Sequence, residues 1–259
     1  MEKLEQLYEL NKMLLSEQPQ YRKQAAAFPL ELQSQWRLFR SLVNAREPKP
    51  IGRAFLKLQD SLLKKMLAEK RITRIDSLIP LQENIYLWQG DITTLQVDGI
   101  VNAANSGLTG CYCPCHSCID NAIHTFAGVQ FRLECAAMMK EQGYPEPTGK
   151  AKITKAYNLP SHFVLHTVGP IVTGQLSEKD CALLASCYQS CLELAELYQL
   201  KSLAFCCIST GEFRFPNQKA AEIAVKTVKA YLSTHTVMSV VFNVFKNEDY
   251  QIYHQILSR

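Results

Sequence analysis

Short apolar segments alternate with longer helical segments after Asp76, and this alternation constrains the fold more than any other feature of the chain. Six short segments are rich in β-branched or aromatic residues: NIYLWQGDI, VDGIVNAAN, KITKAYNLP, FVLHTVGP, SLAFCCIS and VMSVVFNVF. Longer helical stretches lie at residues 119–142, 178–198, 216–233 and 248–257. Strands that alternate with helices are typical of layered α/β domains. The sequence therefore predicts an α/β domain around a largely parallel or mixed sheet.

The first 80 residues have a different pattern. Apolar residues recur at spacings of three and four in LEQLYELNKMLL, LELQSQWRLFRSLVNA and AFLKLQDSLLKKMLAE, which predicts three helices. The segment PKPIG, residues 48–52, separates the second helix from the third. We find no convincing strand in this part. We therefore expect a helical N-terminal extension over residues 1–80 and the α/β domain over residues 81–259.

Composition and charge narrow the class of protein. Hydrophobic residues make up 47% of the chain and charged residues 20%, as in ordinary globular proteins. The sequence has no apolar run of ~18 residues and its N-terminus lacks a signal-peptide core, so we expect a cytoplasmic protein without a membrane partner. The net charge is +4, but the basic residues are scattered, so we expect no nucleic-acid partner.

The ten cysteines are unevenly distributed. In a reducing compartment, cysteines are thiols or metal ligands rather than disulfides. Six lie in apolar segments and are predicted core residues: Cys135, Cys181, Cys187, Cys191, Cys206 and Cys207. The other four crowd between Cys111 and Cys118, and this crowding needs its own explanation.

The segment GCYCPCHSCIDNAIH, from Gly110 to His124, is a candidate metal site. Thiolate and imidazole are preferred ligands of zinc, and four cysteines and one histidine within eight positions can reach a single tetrahedral ion. Three protein ligands would leave a position open for water or substrate, as catalytic sites require. A fourth ligand from Cys113 or Cys115 would give a closed structural site. The residues alone leave both arrangements open.

Two loops that follow predicted strands are candidate ligand-binding segments, at residues 102–110 and 209–216. Open α/β sheets bind ligands at the carboxyl ends of their strands. The amide of Asn105 suits sugar hydroxyls. The glycine of the second loop lets backbone N–H groups approach phosphate at a helix N-terminus, and Phe213 or Phe215 can cover a sugar or base. Each loop also fits an ordinary turn.

Several further side chains have both a functional and a structural interpretation. Asp91, at a strand end, can accept a hydrogen bond from an exocyclic amine or cap a turn. His124 lies one helical turn after Asp120, and we expect it to be structural. Four more aromatic side chains are predicted to be packing or core residues: His162, His166, Trp36 and Trp88.

Taken in order, these motifs resemble the macrodomain family, whose members bind ADP-ribose. The resemblance covers roughly residues 83–258. Four segments carry it: GDIT at 90–93, VDGIVNAAN at 97–105, HTVGP at 166–170 and ISTG at 208–211. The insert from Gly110 to His124 is similar to that of a zinc-containing branch of the family. The resemblance implies a three-layer α/β/α domain with a mixed central sheet, preceded by a helical extension.

The resemblance also implies the residues of the site. Zinc would be held by Cys111, His116 and Cys118, whereas Cys113 and Cys115 are extra thiols expected to be non-ligands. Asp91 would accept a hydrogen bond from the adenine amine, with Ile92 beside it. Asn105 would contact the distal ribose, and the pyrophosphate and distal ribose would be lined by Cys118, Ile119 and Asp120. The phosphates would be wrapped by Ser209, Thr210, Gly211, Glu212 and Phe213. Asn105 and Asp120 are the residues expected to act in catalysis beside the zinc.

The activity that the resemblance implies is hydrolysis of mono-ADP-ribose from acidic side chains of a modified protein. Members of the branch often accompany a sirtuin that attaches the group, which implies a lipoyl-carrier protein of the glycine-cleavage type as a partner. Three alternatives stay open: an ADP-ribose reader module with structural zinc, a deacetylase of O-acetyl-ADP-ribose, and a zinc-ribbon-like interaction protein.

Overall fold

The computed structural model describes residues 2–235 and 238–259 and contains a mixed sheet, helices on both of its faces and a cluster of N-terminal helices. The helices are α1 (Lys3–Glu17), α2 (Arg22–Ala25), α3 (Leu32–Ala45), α4 (Arg53–Glu69), α5 (Ile119–Ala127), α6 (Val129–Gln142), α7 (Glu178–Leu197), α8 (Asn217–Leu232) and α9 (Asn247–Leu257). The strands are β1 (Thr73–Arg74), β2 (Pro80–Gln82), β3 (Ile85–Gln89), β4 (Leu95–Gln96), β5 (Gly99–Ala103), β6 (Ala151–Lys155), β7 (Phe163–Thr167), β8 (Ser202–Phe205) and β9 (Ser239–Val244). Across these two described ranges, no helix combines the length and the hydropathy needed to cross a membrane.

The main sheet has seven strands in the order β2-β3-β9-β8-β5-β7-β6. Its five inner strands are parallel, while β2 and β6 pair antiparallel at the two edges. The predicted mixed sheet is therefore confirmed, and each of the six apolar segments contains one of its strands. The expectation of no strand before residue 80 is wrong for β1, which pairs with β4 over two residues, too few to show a periodic pattern.

Helices cover the sheet on both faces. In β7, the ring of Phe163 contacts Tyr198 just after α7 at a centroid distance of 6.0 Å, whereas His166 stacks on Phe131 of α6 at 5.2 Å. Side chains three positions apart on a strand point to opposite faces, so α6 and α7 lie on opposite sides of the sheet. The helix α5 packs with α6, while α8 packs against α7 and α9 packs against α8. The three-layer α/β/α arrangement is confirmed.

The helical stretch predicted over residues 119–142 is two helices, because the chain turns at Gly128. This glycine has a φ of +98°, and a Cβ added to it would lie 2.6 Å from the side-chain nitrogen of Gln59, so only glycine fits. Gln59 Oε1 also accepts from the backbone N–H of Val129 at 3.0 Å, which caps the start of α6. A residue of α4 thus fixes the junction between α5 and α6.

The three predicted N-terminal helices are confirmed as α1, α3 and α4, with the short α2 added. Their apolar faces form a core of their own, which consists mainly of Leu7, Leu10, Leu14, Leu38, Phe39, Leu42, Phe55, Leu62 and Leu63. The buried guanidinium of Arg132 in α6 donates to the carbonyl oxygens of Val43, Asn44 and Arg46 at 3.2, 2.8 and 2.6 Å. These carbonyls end α3, where a cation is favourable. The N-terminal helices are therefore fastened to the α/β layers by buried polar contacts.

The predictions for cysteines and aromatic side chains are confirmed in part. All ten cysteines are free thiols; Cys135, Cys187, Cys191 and Cys206 are buried, whereas Cys181 and Cys207 are partly exposed. His166 is fully buried, as expected. The expectation that His162 packs in the interior is wrong, because its side chain is 70% exposed beside Asp98 in the turn before β7. Trp36 and Trp88 are half-buried against the two cores.

Candidate active site

A cleft of about 900 Å³ opens where the parallel strands end. Its walls come from the segments that follow β3, β5, β7, β8 and β9, together with the start of α5. This is the edge at which α/β sheets bind ligands. Every predicted site residue lines it: Asp91, Ile92, Asn105, Cys111, His116, Cys118, Ile119, Asp120, Ser209, Thr210, Gly211, Glu212 and Phe213. The fold thus brings together side chains from four distant segments of the chain.

Cys111, His116 and Cys118 converge in one wall of the cleft. Their candidate ligand atoms lie within 4.8 Å of one another, and among the residues that the structure describes no other such group of three is found. Zinc with bonds of about 2.0 to 2.3 Å holds its ligand atoms roughly 3.5 Å apart, so the three side chains would have to move slightly closer together to bind it. In addition, His116 Nδ1 is buried without a hydrogen-bond partner. The donor set and the unpartnered nitrogen fit a zinc ion.

The two extra cysteines of this segment lie outside that group. Cys113 is exposed. The thiol of Cys115 turns towards α3, where it lies 3.3 Å from Ser41 Oγ and 3.5 Å from the carbonyl oxygen of Arg37. The arrangement therefore favours three protein ligands and an open fourth position over a closed four-ligand site.

Burial shapes the acid–base properties of this wall. It raises the pKa of the Cys118 thiol to about 12, an effect that the neighbouring Cys111 and Asp120 strengthen. Zinc binding would therefore have to displace the proton of this thiol. Cys118 also begins α5, because its Sγ accepts from the backbone N–H of Asn121 at 3.4 Å. The same residue therefore caps a helix and faces the cleft.

Asp120 is a nearly completely buried carboxyl group beside the three candidate ligands. Burial raises its pKa to about 6, although Asn102 Nδ2 donates to its Oδ1 at 2.8 Å and favours the charged form. His124 Nε2 lies 3.5 Å from the same oxygen. Burial holds the pKa of His124 well below its usual value, so this imidazole is neutral. The structural interpretation of His124, which packs edge-on against Phe131, fits its burial.

Both interpretations of Asn105 are compatible with its contacts. Its Oδ1 accepts from the backbone N–H of Gly107 at 3.0 Å, so it does cap its own turn. Its Nδ2 donates to the carbonyl oxygen of Gly110 at 3.0 Å and lies 3.4 Å from Asp120 Oδ2. The loop after β5 is thereby tied to the start of α5, and the two predicted catalytic side chains touch each other.

Asp91 lines the cleft in the segment after β3. It caps the turn that follows, as its Oδ1 accepts from the backbone N–H of Thr93 at 3.0 Å, while its Oδ2 accepts from Lys70 Nζ at 2.9 Å. Burial works to raise the pKa of Asp91, but the hydrogen bonds from Thr93 and Lys70 outweigh it and hold the pKa below its ordinary value. The ammonium group also lies 3.9 Å from the ring centre of Phe126.

The loop after β8 is fitted closely against the HTVGP segment. Ser209 is buried with a φ of +65°, a conformation that is unfavourable for any residue other than glycine. A Cβ added to Gly169 would lie 2.0 Å from Ser209 Oγ, so this glycine makes room for the loop. Phe213 lines the cleft. Phe215 is 1% exposed, so of the two phenylalanines that were candidates to cover a ligand, Phe213 is the one that faces the cleft.

The sequence interpretation missed several residues that line the cleft: Arg40, Lys70, Tyr112, Asn243 and Phe245. Phe245 is 76% exposed just after β9, and its carbonyl oxygen accepts from Gln89 at the end of β3. An aromatic residue at the carboxyl end of a predicted strand segment was a usable signal for it. Arg40 and Lys70 come from the N-terminal helical part, where no local pattern indicates which face meets the cleft.

Comparisons with known proteins agree on one family. Residues 101–224 match the model of the family described as Macro domain. The chain is 53% identical to a protein named protein-ADP-ribose hydrolase from Treponema medium, over 95% of each chain. It is 49% identical to a protein of the same name from Staphylococcus aureus, over 89% of this chain and 88% of that one. The structure of a Trypanosoma brucei macrodomain in complex with ADP-ribose is similar, with a TM-score of 0.66, 30% identity and coverage of 84% of this chain and 94% of that one.

Proposed function

The chain belongs to the macrodomain family and is a protein-ADP-ribose hydrolase, and from that premise we propose that it removes mono-ADP-ribose from acidic side chains with the help of zinc. The proposed ligands of the ion are Cys111, His116 and Cys118. One observation carries the proposal: these three side chains converge in the wall of the same cleft that holds every predicted contact to ADP-ribose.

We propose that the adenine binds at Asp91. The depressed pKa of this carboxyl keeps it ionised at neutral pH, so it can accept a hydrogen bond from the adenine amine, with Ile92 alongside. Phe245, exposed at the rim of the cleft, offers a flat face on which the base can stack. The apolar surface and the single charged acceptor would select a purine with an amine.

The proposed phosphate site is the loop from Ser209 to Phe213. Its backbone lies shortly before the N-terminus of α8, a helix of 16 residues that begins at Asn217. Backbone N–H groups and the positive end of the helix dipole both favour an anion there. The glycine in the loop leaves its backbone accessible, since a Cβ at Gly211 would meet nothing within 4 Å.

These contacts would place the distal ribose against Asn105 and Asp120. Asn105 would hold a ribose hydroxyl, and Asp120, with a pKa of about 6, could orient a hydroxyl or a water and accept its proton. Hydrolysis breaks the bond between the ribose and the modified carboxyl group and adds water across it. A zinc ion held by Cys111, His116 and Cys118 would supply a Lewis acid at this end of the cleft. Binding of the large ADP half keeps the scissile bond in place.

The proposed protein substrate is a lipoyl-carrier protein of the glycine-cleavage type, modified by a sirtuin. Only the resemblance to the zinc-containing branch supports this choice of partner. An acidic side chain would fit the site as leaving group, because a carboxylate departs without needing a strong acid.

The experiment that tests the proposal combines metal content with product release. The purified chain should contain about one zinc per protein and release ADP-ribose from protein modified on aspartate or glutamate. Chelation should abolish release, and added zinc should restore it. Tight ADP-ribose binding without release would instead indicate a reader module. Faster turnover of O-acetyl-ADP-ribose than of modified protein would indicate a deacetylase. Full activity of a metal-free protein would refute the role of zinc.

A further inference from the structure

We propose that the N-terminal helices form part of the active site, with Arg40 of α3 acting as the positioning residue for the thiol loop, defined here as residues 111–118. The inference rests on the proposed zinc site, because the thiol loop supplies all three of its ligands. It assigns a role to the helical extension beyond packing: the extension sets the geometry in which the metal is bound.

The guanidinium of Arg40 holds two points of this region at once. Its Nη2 donates to the carbonyl oxygen of His116 at 2.7 Å. Its Nη2 and Nε both donate to Asn121 Oδ1, at 2.8 and 3.2 Å. His116 is the central one of the three proposed ligands, and Asn121 lies in the first turn of α5. The guanidinium group, whose N–H groups point in fixed directions like a fork, therefore connects the backbone of a proposed ligand to the helix that follows the loop.

Asn121 extends this connection to both ends of the loop. It is completely buried, and its Nδ2 donates to the carbonyl oxygen of Cys113 at 3.0 Å. Its backbone N–H donates to Cys118 Sγ at 3.4 Å. Through this one residue, by its side chain and its backbone N–H, Arg40 is linked to the first half of the loop and to a proposed ligand sulfur.

A second residue of α3 supports the middle of the loop. Asn44 lies one helical turn after Arg40, and its Oδ1 accepts from the backbone N–H of Cys115 at 3.0 Å. Its Nδ2 donates to Thr125 Oγ1 in α5 at 3.0 Å. Cys115 has a φ of +54°, an unfavourable backbone conformation for a residue with a side chain. The loop thus adopts a conformation that contacts from α3 stabilise.

Such contacts matter for metal binding because ligands that are already in place lose less freedom when the ion binds. Groups that orient metal ligands typically change metal affinity by about 10- to 100-fold when they are removed. Arginine suits this position better than lysine does, since a planar fork can donate to two acceptors in fixed directions. The face of α3 that carries Arg40 and Asn44 is therefore as much a part of the site as the loop.

The test uses three variants of the full chain. In a zinc competition with a chromophoric chelator, Arg40→Ala should bind zinc about 10- to 100-fold more weakly than the wild type. Arg40→Lys keeps the charge but not the fork, so its zinc affinity should fall between the two. Arg37→Ala is the matched control, because Arg37 is exposed on the same helix; its zinc affinity should stay within about twofold of the wild type.

A second measurement separates positioning from direct contact with the nucleotide. The affinity of the metal-stripped proteins for ADP-ribose, measured by calorimetry, should be the same for wild type, Arg40→Lys and Arg40→Ala within about threefold. Equal zinc affinity of all variants would overturn the role of Arg40 and leave the proposed zinc site intact. A loss of ADP-ribose affinity as large as the loss of zinc affinity would make Arg40 a ligand contact and also overturn it. A wild-type chain that does not bind zinc would overturn both proposals. If Arg40→Ala does not fold, Arg40→Lys carries the same comparison.

Discussion

Two walls of the cleft differ in how deeply their ionisable groups are buried. We call them the metal wall, which holds the three proposed metal ligands, and the adenine wall, which holds Asp91, the proposed contact to adenine. Beside the metal ligands, the carboxyl of Asp120 is nearly completely buried and its pKa is raised to about 6. In the other wall, the side chains of Asp91 and Lys70 are 38% and 34% exposed and form an ion pair, and Phe245 projects into solvent. Burial beside the metal ligands shifts the pKa of Asp120 strongly upward, whereas Asp91 stays charged and partly exposed to solvent.

This difference indicates how the two walls divide their tasks. Electrostatic interactions act most strongly where water is excluded, so groups beside the metal ligands can stabilise charge that develops during the reaction. A partly exposed ion pair is screened and contributes little, and for Asp91 and its neighbours we propose a role in binding and orienting the nucleotide rather than in the chemical step. Changes beside the metal ligands should therefore lower kcat, and changes in the adenine wall should raise KM.

The largest effect is expected from His116→Ala. Removal of one of three protein ligands should abolish stoichiometric zinc binding and lower kcat by at least about 100-fold. The affinity for ADP-ribose should change by less than about threefold, because the proposed site for the ADP half lies elsewhere in the cleft. Metal analysis, single-turnover kinetics and calorimetry measure the three quantities.

Cys113→Ser is the control for this prediction, since Cys113 is exposed and outside the ligand group. It should keep its zinc and its activity. Comparable losses in Cys113→Ser would mean that the ligand set has been assigned wrongly.

Asp120→Asn should give the next largest effect. The amide can still accept from Asn102 but cannot take a proton or carry a charge, so kcat should fall by about 10- to 100-fold while KM stays within about threefold. Zinc content should remain near that of the wild type. A change confined to KM would place Asp120 among the binding groups and remove the proposed contrast between the two walls.

The parts of the site that could be predicted from sequence are those in which the determinants are local. Four cysteines and one histidine lie within eight positions, so composition and spacing indicated a metal site in this segment, whereas the choice of three ligands came from the resemblance to the zinc-containing branch. The strand-end loops carry their own turn residues and could be selected as candidate binding segments. The alternation of strands and helices likewise predicted a layered α/β domain, and the resemblance to the family implied the three layers. The break at Gly128 was missed because the apolar pattern continues across it, while the close contacts at the turn include side chains from distant segments, Gln59 and Asn158.

The parts that could not be predicted depend on packing between distant segments. In the sequence, Arg40 and Lys70 are two of many charged residues in the predicted helical extension. They line the cleft because the N-terminal helices pack against the α/β domain. Phe213 and Phe215 are equivalent in the sequence, yet one lines the cleft and the other is buried, because the backbone turns between them at Arg214, which has a φ of +57°. Local propensity does not encode such a choice.

Phe245→Ala tests the adenine wall. Loss of one aromatic face over a base should weaken ADP-ribose binding by about 5- to 10-fold and raise KM by a similar factor, with kcat for modified protein nearly unchanged. Leu197→Ala, a control at another exposed apolar residue, should have no effect on binding. An unchanged affinity of Phe245→Ala would mean that the base lies elsewhere in the cleft.

The smallest effect is expected from Lys70→Met. Because the ion pair with Asp91 is partly exposed, its loss should weaken ADP-ribose binding by less than about threefold at pH 7.5. Lys70 helps to hold the pKa of Asp91 below its ordinary value, so its removal should raise that pKa and make binding fall off at a higher pH as the solution is acidified. Calorimetry between pH 7.5 and pH 4.5 measures the shift. A tenfold loss at neutral pH would instead show that Lys70 itself contacts the nucleotide, and the two walls would then differ less in their electrostatics than their exposure suggests.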